Sequence, residues 1–557
     1  KRIYLVLTVA LLLISGMTVR HHALAVADIT TDREKAAQLL SDGNFNDAYQ
    51  LLRQLCLSED AEGAELASDY TRAVVCLKQL GRLAEFDKFS EQTVAAHQQD
   101  WRLLRAVADQ YLTVMHWGHR VAGEYERGPR RGGGVVVNSQ QRDRVRSLQL
   151  YSQAVPMVNA EQNGNEAASF HMGMASALLS GNGFADAWRL QYLTDIAVLP
   201  DIEEGRPVYL PGMGAPVDEQ GQPVFYPEVD SWQQAENDGQ RWRWALAEAV
   251  RRNPRFTLDV RRQFASFLHQ QFGVQTMQQS QFPMAGMGRR GRAEVVGEPQ
   301  EGGTYQLHTL SDDETICRLA SGIKRLTLPE EFNPIRIFQS LATEQAGNYR
   351  NQAQEQLAQI YENRRQYPRA AELWGTISQR NRQLKDHYST KRLQQIIGNW
   401  GTIEDVGPLS AGNSVEFGFR YRNGSKVTFT AKRILVDNLL TDLKDYLKSN
   451  PRQLDWQKFQ IGQLGYQLIH NNKEKYVGEQ VASWSVQLKP RPQHFDSRIT
   501  VESPLDQGDL PDAKAYSNRG MARSGKGDLD GAIEDYDRAI EIDPRNAGAY
   551  NSRGTLY

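Results

Sequence analysis

The chain has 557 residues, enough for several domains, and its 65 basic and 67 acidic side chains almost cancel. That balance excludes the strong field that draws a protein to nucleic acid or to an anionic membrane surface. Three cysteines, Cys56, Cys76 and Cys317, give neither a disulfide framework nor metal-site spacing, and Cys56 and Cys76 are read either as a bridge or as two buried thiols.

The N-terminus, KRIYLVLTVALLLISGMTVRHHALAVADITTD, joins a basic start (Lys1, Arg2) to an apolar run from Ile3 to Ile14, too short for a comfortable membrane span. Ala23-Leu-Ala25 and Ala25-Val-Ala27 offer the small-x-small pattern of a cleavage site. Residues 1–27 are therefore expected to be a signal peptide, with an uncleaved anchor as the alternative. Either places the rest of the chain outside the cytoplasm. No later segment is apolar enough to span a bilayer.

Residues 28–198 read as degenerate helical repeats. AAQLLSDGNFNDAYQLLRQL sets Leu39, Leu40, Phe45, Ala48, Tyr49, Leu52 and Leu55 at helical spacing around Gly43. DYTRAVVCLKQLGRLAEFDKFSEQ repeats the plan around Gly81, and LLRAVADQYLTVMHWGHR around Gly118. SFHMGMASALLSGNGFADAWRLQYL (169–193) continues the series. Over 199–230, Val208–Leu210 and Val224–Tyr226 flank a Gly/Pro-rich link and predict a β-hairpin-like insertion. Helical repeats resume over 231–400. Their clearest copy is AQEQLAQIYENRRQYPRAAELWGTI (353–377), with Leu357, Ala358, Tyr361, Tyr367, Ala370, Ala371 and Trp374 at packing positions. The Arg–Gly clusters at 126–134 and 279–304 read as flexible solvated loops, with contact to an anionic partner as the alternative.

After Trp400 the pattern turns to β. Val415, Phe417, Phe419 and Tyr421 alternate before Asn423-Gly424, and Val427, Phe429 and Ala431 after it, which predicts a hairpin with a type I′ turn. Asp437 then caps a short helix, DNLLTDLKDYLKS, with Leu439, Leu440, Leu443 and Leu447 on one face. WSVQLK (484–489) and SRITVE (497–502) are further strands. Residues 401–505 are thus expected to form a β-sandwich with one inserted helix.

Residues 512–557 carry the sharpest signal. AYSNRG at Ala515–Gly520 returns as AYNSRG at Ala549–Gly554, an interval of 34 residues. The segment resembles a tetratricopeptide repeat, a helix–turn–helix unit of that period. Tyr516 starts the motif. Gly520 and Ala532 let two helices approach, Tyr536 and Ala539 pack on the following helix, and Pro544 stops the second one. Arg523 fills a slot that is usually aromatic. A lone repeat buries little, so the chain is expected to continue past Tyr557, and Tyr536, Ala539 and Ile540 to be partly exposed or to pack on something foreign to the repeat. Gly520 to Lys526 has the spacing of a phosphate-binding loop, but Gly527 stands where a magnesium-binding Ser or Thr is needed, so an inter-helix turn is the reading.

The order of these parts, with EFGFRYRNGSKVTFTAKRILVDNLL and YVGEQVASWSVQLK at its centre, resembles the N-terminal part of large bacterial alpha-2-macroglobulin-like proteins. The resemblance spans residues 28–505. It implies an exported protein of the bacterial periplasm or envelope, associated with trapping proteases, whose residues 401–505 are a macroglobulin-type immunoglobulin-like domain. The family's Cys-Gly-Glu-Gln thioester has no counterpart: Val477-Gly478-Glu479-Gln480 lacks the sulfur. His116 and His119 have no third metal ligand nearby, and Asp528-Leu-Asp530-Gly531 is too short for a calcium loop. No catalytic, cofactor or metal residues are therefore assigned. The expected fold is mainly α: a repeat solenoid, a β domain and a tetratricopeptide unit. The expected function is a non-enzymatic exported scaffold that binds other proteins, proteases among them. The alternative is an envelope adaptor acting through its repeats alone.

Overall fold

A computed structural model describes residues 29–130, 132–180, 189–206, 214–274, 305–383, 387–404, 416–435, 438, 477–505, 513–525, 528–543 and 546–556. Residues 1–27, Val208–Leu210, the loop 279–304, Pro544 and all but one residue of the helix expected after Asp437 lie outside the described residues. The described chain is mainly helical, with small sheets, and divides into two compact units, residues 1–364 and 365–557.

The first unit opens with helices α1 (residues 29–41), α2 (Phe45–Leu57), α3 (Gly63–Gln79), α4 (Phe86–Ala96) and α5 (Trp101–Thr113). Two of the breaks share one mechanism. Gly43 and Gly81 take left-handed φ of 79° and 67°. In each case the next residue's N–H reaches back to the third-last helical carbonyl, Asn44 to Leu39 at 2.8 Å and Arg82 to Leu77 at 2.9 Å. This C-cap geometry satisfies carbonyls that the helix end would orphan, and only glycine adopts it without a Cβ penalty. Asp100 caps α5 by accepting from the N–H groups of Arg102 and Leu103. The buried stripes Tyr49/Leu52, Tyr70/Val74/Leu77, Phe86/Phe89 and Leu104/Val107 join in one core. In it Phe89 stacks on Tyr70 at 5.6 Å and meets Tyr49 edge-on at 5.8 Å.

The third expected repeat is corrected by the structure. Gly118 lies in a strand, not between helices. Strands β1 (Trp117–Val121), β2 (Glu124–Arg127) and β3 (Val135–Asn138) form an antiparallel sheet with β1 between the other two. A Cβ on Gly118 would collide with the Glu126 carbonyl, so this glycine serves the close approach of β2. The two-residue turn is Ala122-Gly123, both with positive φ (49° and 87°).

Helices α6 (Gln140–Asn159) and α7 (Gly164–Leu179) follow, the latter capped by Asn163. Strand β4 (Glu203–Glu204) then closes the sheet in the order β2-β1-β3-β4. Of the expected insertion at 199–230, residues 199–206, which hold β4, and 214–230 are described; in the latter Val217 bridges Pro223, and Asp218 Oδ1 accepts from the N–H groups of Gln220 (3.0 Å) and Gln222 (2.8 Å). Val224–Tyr226 is not a strand. The unit ends with α8 (Asp238–Arg252), α9 (Thr257–Phe272), the hairpin β5 (Glu314–Leu319) and β6 (Gly322–Thr327), α10 (Pro334–Ala342) and α11 (Gly347–Asn363).

The expected helical pair 353–377 is divided between the units: α11 belongs to the first and α12 (Tyr367–Arg380) to the second. Leu357, Ala358, Tyr361, Ala370 and Trp374 are buried, Tyr367 and Ala371 half-buried. Helix α13 (Tyr388–Ile397) leads to strands β7 (Trp400–Ile403), β8 (Glu416–Arg422), β9 (Lys426–Ile434), β10 (Val477–Gln487) and β11 (Ser497–Glu502). The expected strands and their inward faces are present, but the hairpin is not. Strand β8 pairs with β7 and β11, and β9 pairs with β10, so Asn423-Gly424 joins two sheets.

The reason lies in the backbone and in the amide. Of the pair only Asn423 has positive φ (60°), which does not meet the type I′ requirement. The Asn423 amide donates to the carbonyls of Ile396 (2.7 Å) and Gly398 (2.9 Å), tying the corner to the end of α13. The two sheets share an aromatic cluster, with Phe429 at 5.1 Å from Phe419, 5.2 Å from Phe417 and 5.3 Å from Trp484. Two small sheets around one cluster are what is observed, and a macroglobulin-type sandwich goes beyond it. Helices α14 (Ala513–Gly525), α15 (Leu529–Ile542) and α16 (Ala547–Gly554) complete the unit.

Candidate interaction surface

The C-terminal helices bring the expected packing residues together. Gly520 lies on α14 where a Cβ would stand 2.9 Å from the Tyr536 ring, which makes its lack of a side chain a packing requirement. Ala532, Tyr536 and Ala539 on α15 are buried with Ala549 of α16, and Tyr516, Ile540 and Leu556 pack around them. Asp528 caps α15, its Oδ1 accepting from the Gly531 N–H at 3.0 Å, so its carboxylate serves the helix start. Gly520 sits inside α14, in a helix and not in a strand-to-helix phosphate loop.

One expectation about this tail is corrected. Tyr536 and Ala539 are buried, 2% and 0% exposed, and only Ile540 is half-buried. The eight residues of α16 suffice, because the small side chain of Ala549 lets that helix close over the α15 face.

An ionic layer that the sequence reading missed adds to the packing. Buried Asp535 takes two hydrogen bonds from Arg519, and Arg523 reaches it at 3.4 Å while donating to the Gly531 carbonyl at 3.1 Å. Arg523 thus replaces an aromatic plug with a charged one. Arg553 pairs with Asp537. The Arg519 guanidinium lies 5.0 Å from the Tyr516 ring, and Arg553 lies 5.5 Å from Tyr550, so α16 repeats the α14 arrangement. Met521 (61% exposed), Leu529 (47%) and Tyr550 (45%) leave apolar surface on the outside of this layer.

The first unit holds a second ionic cluster with no sequence signal. The side chain of Arg127, at the end of β2, is 1% exposed and grips Asp143 of α6 with two bonds (2.7 and 2.9 Å) and Asp87 of α4 with two more (2.6 and 3.0 Å). Ser139 donates to Asp143 at 2.7 Å. Burial pushes the Asp143 carboxyl up, but the bonds from His116, Arg127 and Ser139 outweigh it and hold it below the usual carboxylate range. His116 precedes β1, facing Asp143 and the Leu112 carbonyl, and His119 lies within β1.

The three cysteines are free and buried, which settles the Cys56–Cys76 alternative in favour of thiols. Burial pushes all three thiols up, Cys317 to about 12, and so keeps them inert. Val477-Gly478-Glu479-Gln480 opens strand β10. Among the described residues no helix is long and apolar enough to cross a membrane.

The class defined by this geometry is a mainly helical protein with small sheets and one tetratricopeptide-like helical unit at residues 513–556. The tetratricopeptide repeat family model matches residues 513–546, a segment that includes α14 and α15. No curated protein matches the chain.

Proposed function

We propose that the chain is a non-enzymatic scaffold that binds other proteins through its helical surfaces, with the C-terminal tetratricopeptide repeat as one contact site. The observation that carries this is the matched repeat at 513–546, with Met521, Leu529 and Tyr550 exposed around its ionic layer. Repeats of this kind mediate protein–protein contact through exposed helix faces. A photo-crosslinker at Met521 tests it. The captured protein, purified and titrated against the chain, should bind more weakly when Met521 and Tyr550 are both changed to Ser. Equal affinity removes the repeat from the interface.

The finer reading places this scaffold outside the cytoplasm of a bacterium, in the manner of alpha-2-macroglobulin-like proteins that trap proteases. Its support is the export pattern of residues 1–27 and the strand pattern of 401–505. N-terminal sequencing of the mature protein, with a start near Asp28 expected, checks the first. Inhibition of a panel of endopeptidases checks the second. An envelope adaptor acting through its repeats alone would show the first result without the second.

A further inference from the structure

Helix α16 repeats the residues with which α14 holds α15, and the notch they form is open. On α14, Gly520 makes room for the Tyr536 ring and the Ala532 carbonyl, 2.9 and 3.1 Å from where its Cβ would stand. Arg519 donates to Asp535, its Nε at 2.7 Å, and Tyr516 packs at the edge of the same cluster. On α16 the counterparts, 34 residues later, are Tyr550, Arg553 and Gly554, which share a face at i, i+3 and i+4. Tyr550 is 45% exposed. Outside its own turn of helix, no described atom lies within 4 Å of where a Cβ on Gly554 would stand. Arg553 pairs with Asp537 of α15, and 33% of its side chain stays exposed. A guanidinium with five N–H groups can serve a second carboxylate, as Arg127 does for Asp87 and Asp143.

The chain itself shows what fills such a notch. On α15 the filling residues are Ala532, Asp535 and Tyr536, at i, i+3 and i+4 of one helix. The small residue allows close approach, the aspartate meets the arginine, and the ring enters the gap above the glycine. A second copy of the chain cannot lend these groups without unfolding its own tail, because its α14 already holds them: Asp535 and Tyr536 are each 2% exposed. Resting on the reading of this repeat as a contact site, we infer that Tyr550, Arg553 and Gly554 are the docking face for one amphipathic helix of a separate protein, in which a small residue is followed three and four positions later by aspartate and tyrosine. The aspartate supplies the charge that complements Arg553, and the tyrosine supplies the volume that Gly554 leaves open.

A peptide of residues 528–543, stapled between positions 534 and 538, which are exposed on α15, is the probe. Fluorescence anisotropy of the labelled peptide with the full chain should show saturable binding, and hydrogen exchange should slow over 547–556 on its addition. Asp535→Ala or Tyr536→Ala in the peptide should weaken binding by about tenfold. Gly554→Leu in the chain should do the same by filling the notch; the residue lies in a helix with open space beside it, so the tail stays folded. Met521→Ser, on α14, should leave the peptide's affinity unchanged. No saturable binding, protection only outside 547–556, or equal affinity for Gly554→Leu overturns the inference. Two other occupants would also overturn it: a chain dimer lost in Gly554→Leu gives the face to a second copy, and a longer chain that excludes the peptide gives it to its own next helix. The protein captured at Met521 separates this inference from the reading it rests on. If that protein binds Gly554→Leu as tightly as the native chain, the repeat stands as a contact site and α16 is not its docking face.

Discussion

His171, on α7, has no exposed surface, and neither of its ring nitrogens has a hydrogen-bond partner. Its neighbours are aromatic: Phe170 at 5.3 Å and Trp244 at 5.5 Å, both edge-on. Burial, helped by Arg252 and Arg251, pushes the imidazole from 6.5 down to about 3. Above pH 6.5 the ring is neutral folded and unfolded, and contributes nothing to pH dependence. Below 6.5 the unfolded chain takes up a proton that the folded chain refuses until about pH 3. Stability must therefore fall with a slope that approaches about 1.4 kcal/mol per pH unit, a loss of about 2 kcal/mol between pH 6.5 and 4.5. His269, pushed down to about 4, chiefly by burial, acts in the same direction and will remain in the variant. His171→Leu removes the titrating ring at similar volume. At pH 7.5 it should be neutral or stabilising by about 1 kcal/mol, since two unsatisfied nitrogens are lost against a small change of shape. Urea-dependent hydrogen exchange on peptides from 164–179 gives the local free energy at pH 7.5, 5.5 and 4.5. The native slope should exceed the variant slope by nearly one proton. Equal slopes would refute the argument, because they would mean that the folded chain accommodates the imidazolium.

Three further outcomes follow from backbone geometry and packing. Ala122→Asn should stabilise the β1–β2 hairpin by about 0.5–1 kcal/mol, because asparagine tolerates the left-handed φ of 49° better than alanine does, and slower exchange across 117–127 would show it. Arg365→Gly should slow exchange in α11 by a similar amount, since this exposed arginine takes φ 56° just past the end of that helix, where glycine carries no Cβ penalty. Gly520→Leu should cost about 1–3 kcal/mol by forcing a side chain onto Tyr536 and should unfold 513–556, while Met521→Ala, one residue on and exposed, should leave exchange there unchanged.

The tail was legible because its signal is local: a small residue at 520 and another at 532 answer an aromatic at 536, all within one helical hairpin. The early helices were legible for a similar reason, as Gly43 and Gly81 mark C-caps that depend only on the chain next to them. The β1–β3 sheet was not. Its strands show little alternation of burial, its turn uses alanine where asparagine or aspartate is usual, and Gly118 looks like a helix break until β2 is placed against it. The Arg127 cluster was out of reach altogether, since its partners stand 40 and 16 residues away in sequence and a charged residue reads as solvated until it is seen buried.

Asn423 shows where the boundary runs. Alternation before and after it correctly assigned Phe417, Phe419, Tyr421, Val427 and Phe429 to one shared core. It could not say whether β8 and β9 meet edge to edge or face to face, because both arrangements bring the same side chains together. The choice is made by groups that carry no periodic signal. The Asn423 amide is held by the carbonyls of Ile396 and Gly398, and its Oδ1 accepts from His494 Nδ1 at 2.8 Å. The Tyr421 hydroxyl both donates to the Lys489 carbonyl (3.0 Å) and accepts from the Lys489 N–H (3.1 Å), so the end of β8 is bound to the exit of β10. A hairpin would place β9 on an edge of β8, yet the two edges of β8 are taken by β7 and β11. With both edges filled, β9 is left to cross to the second sheet, and the left-handed Asn423 supplies the bend without requiring the same of Gly424.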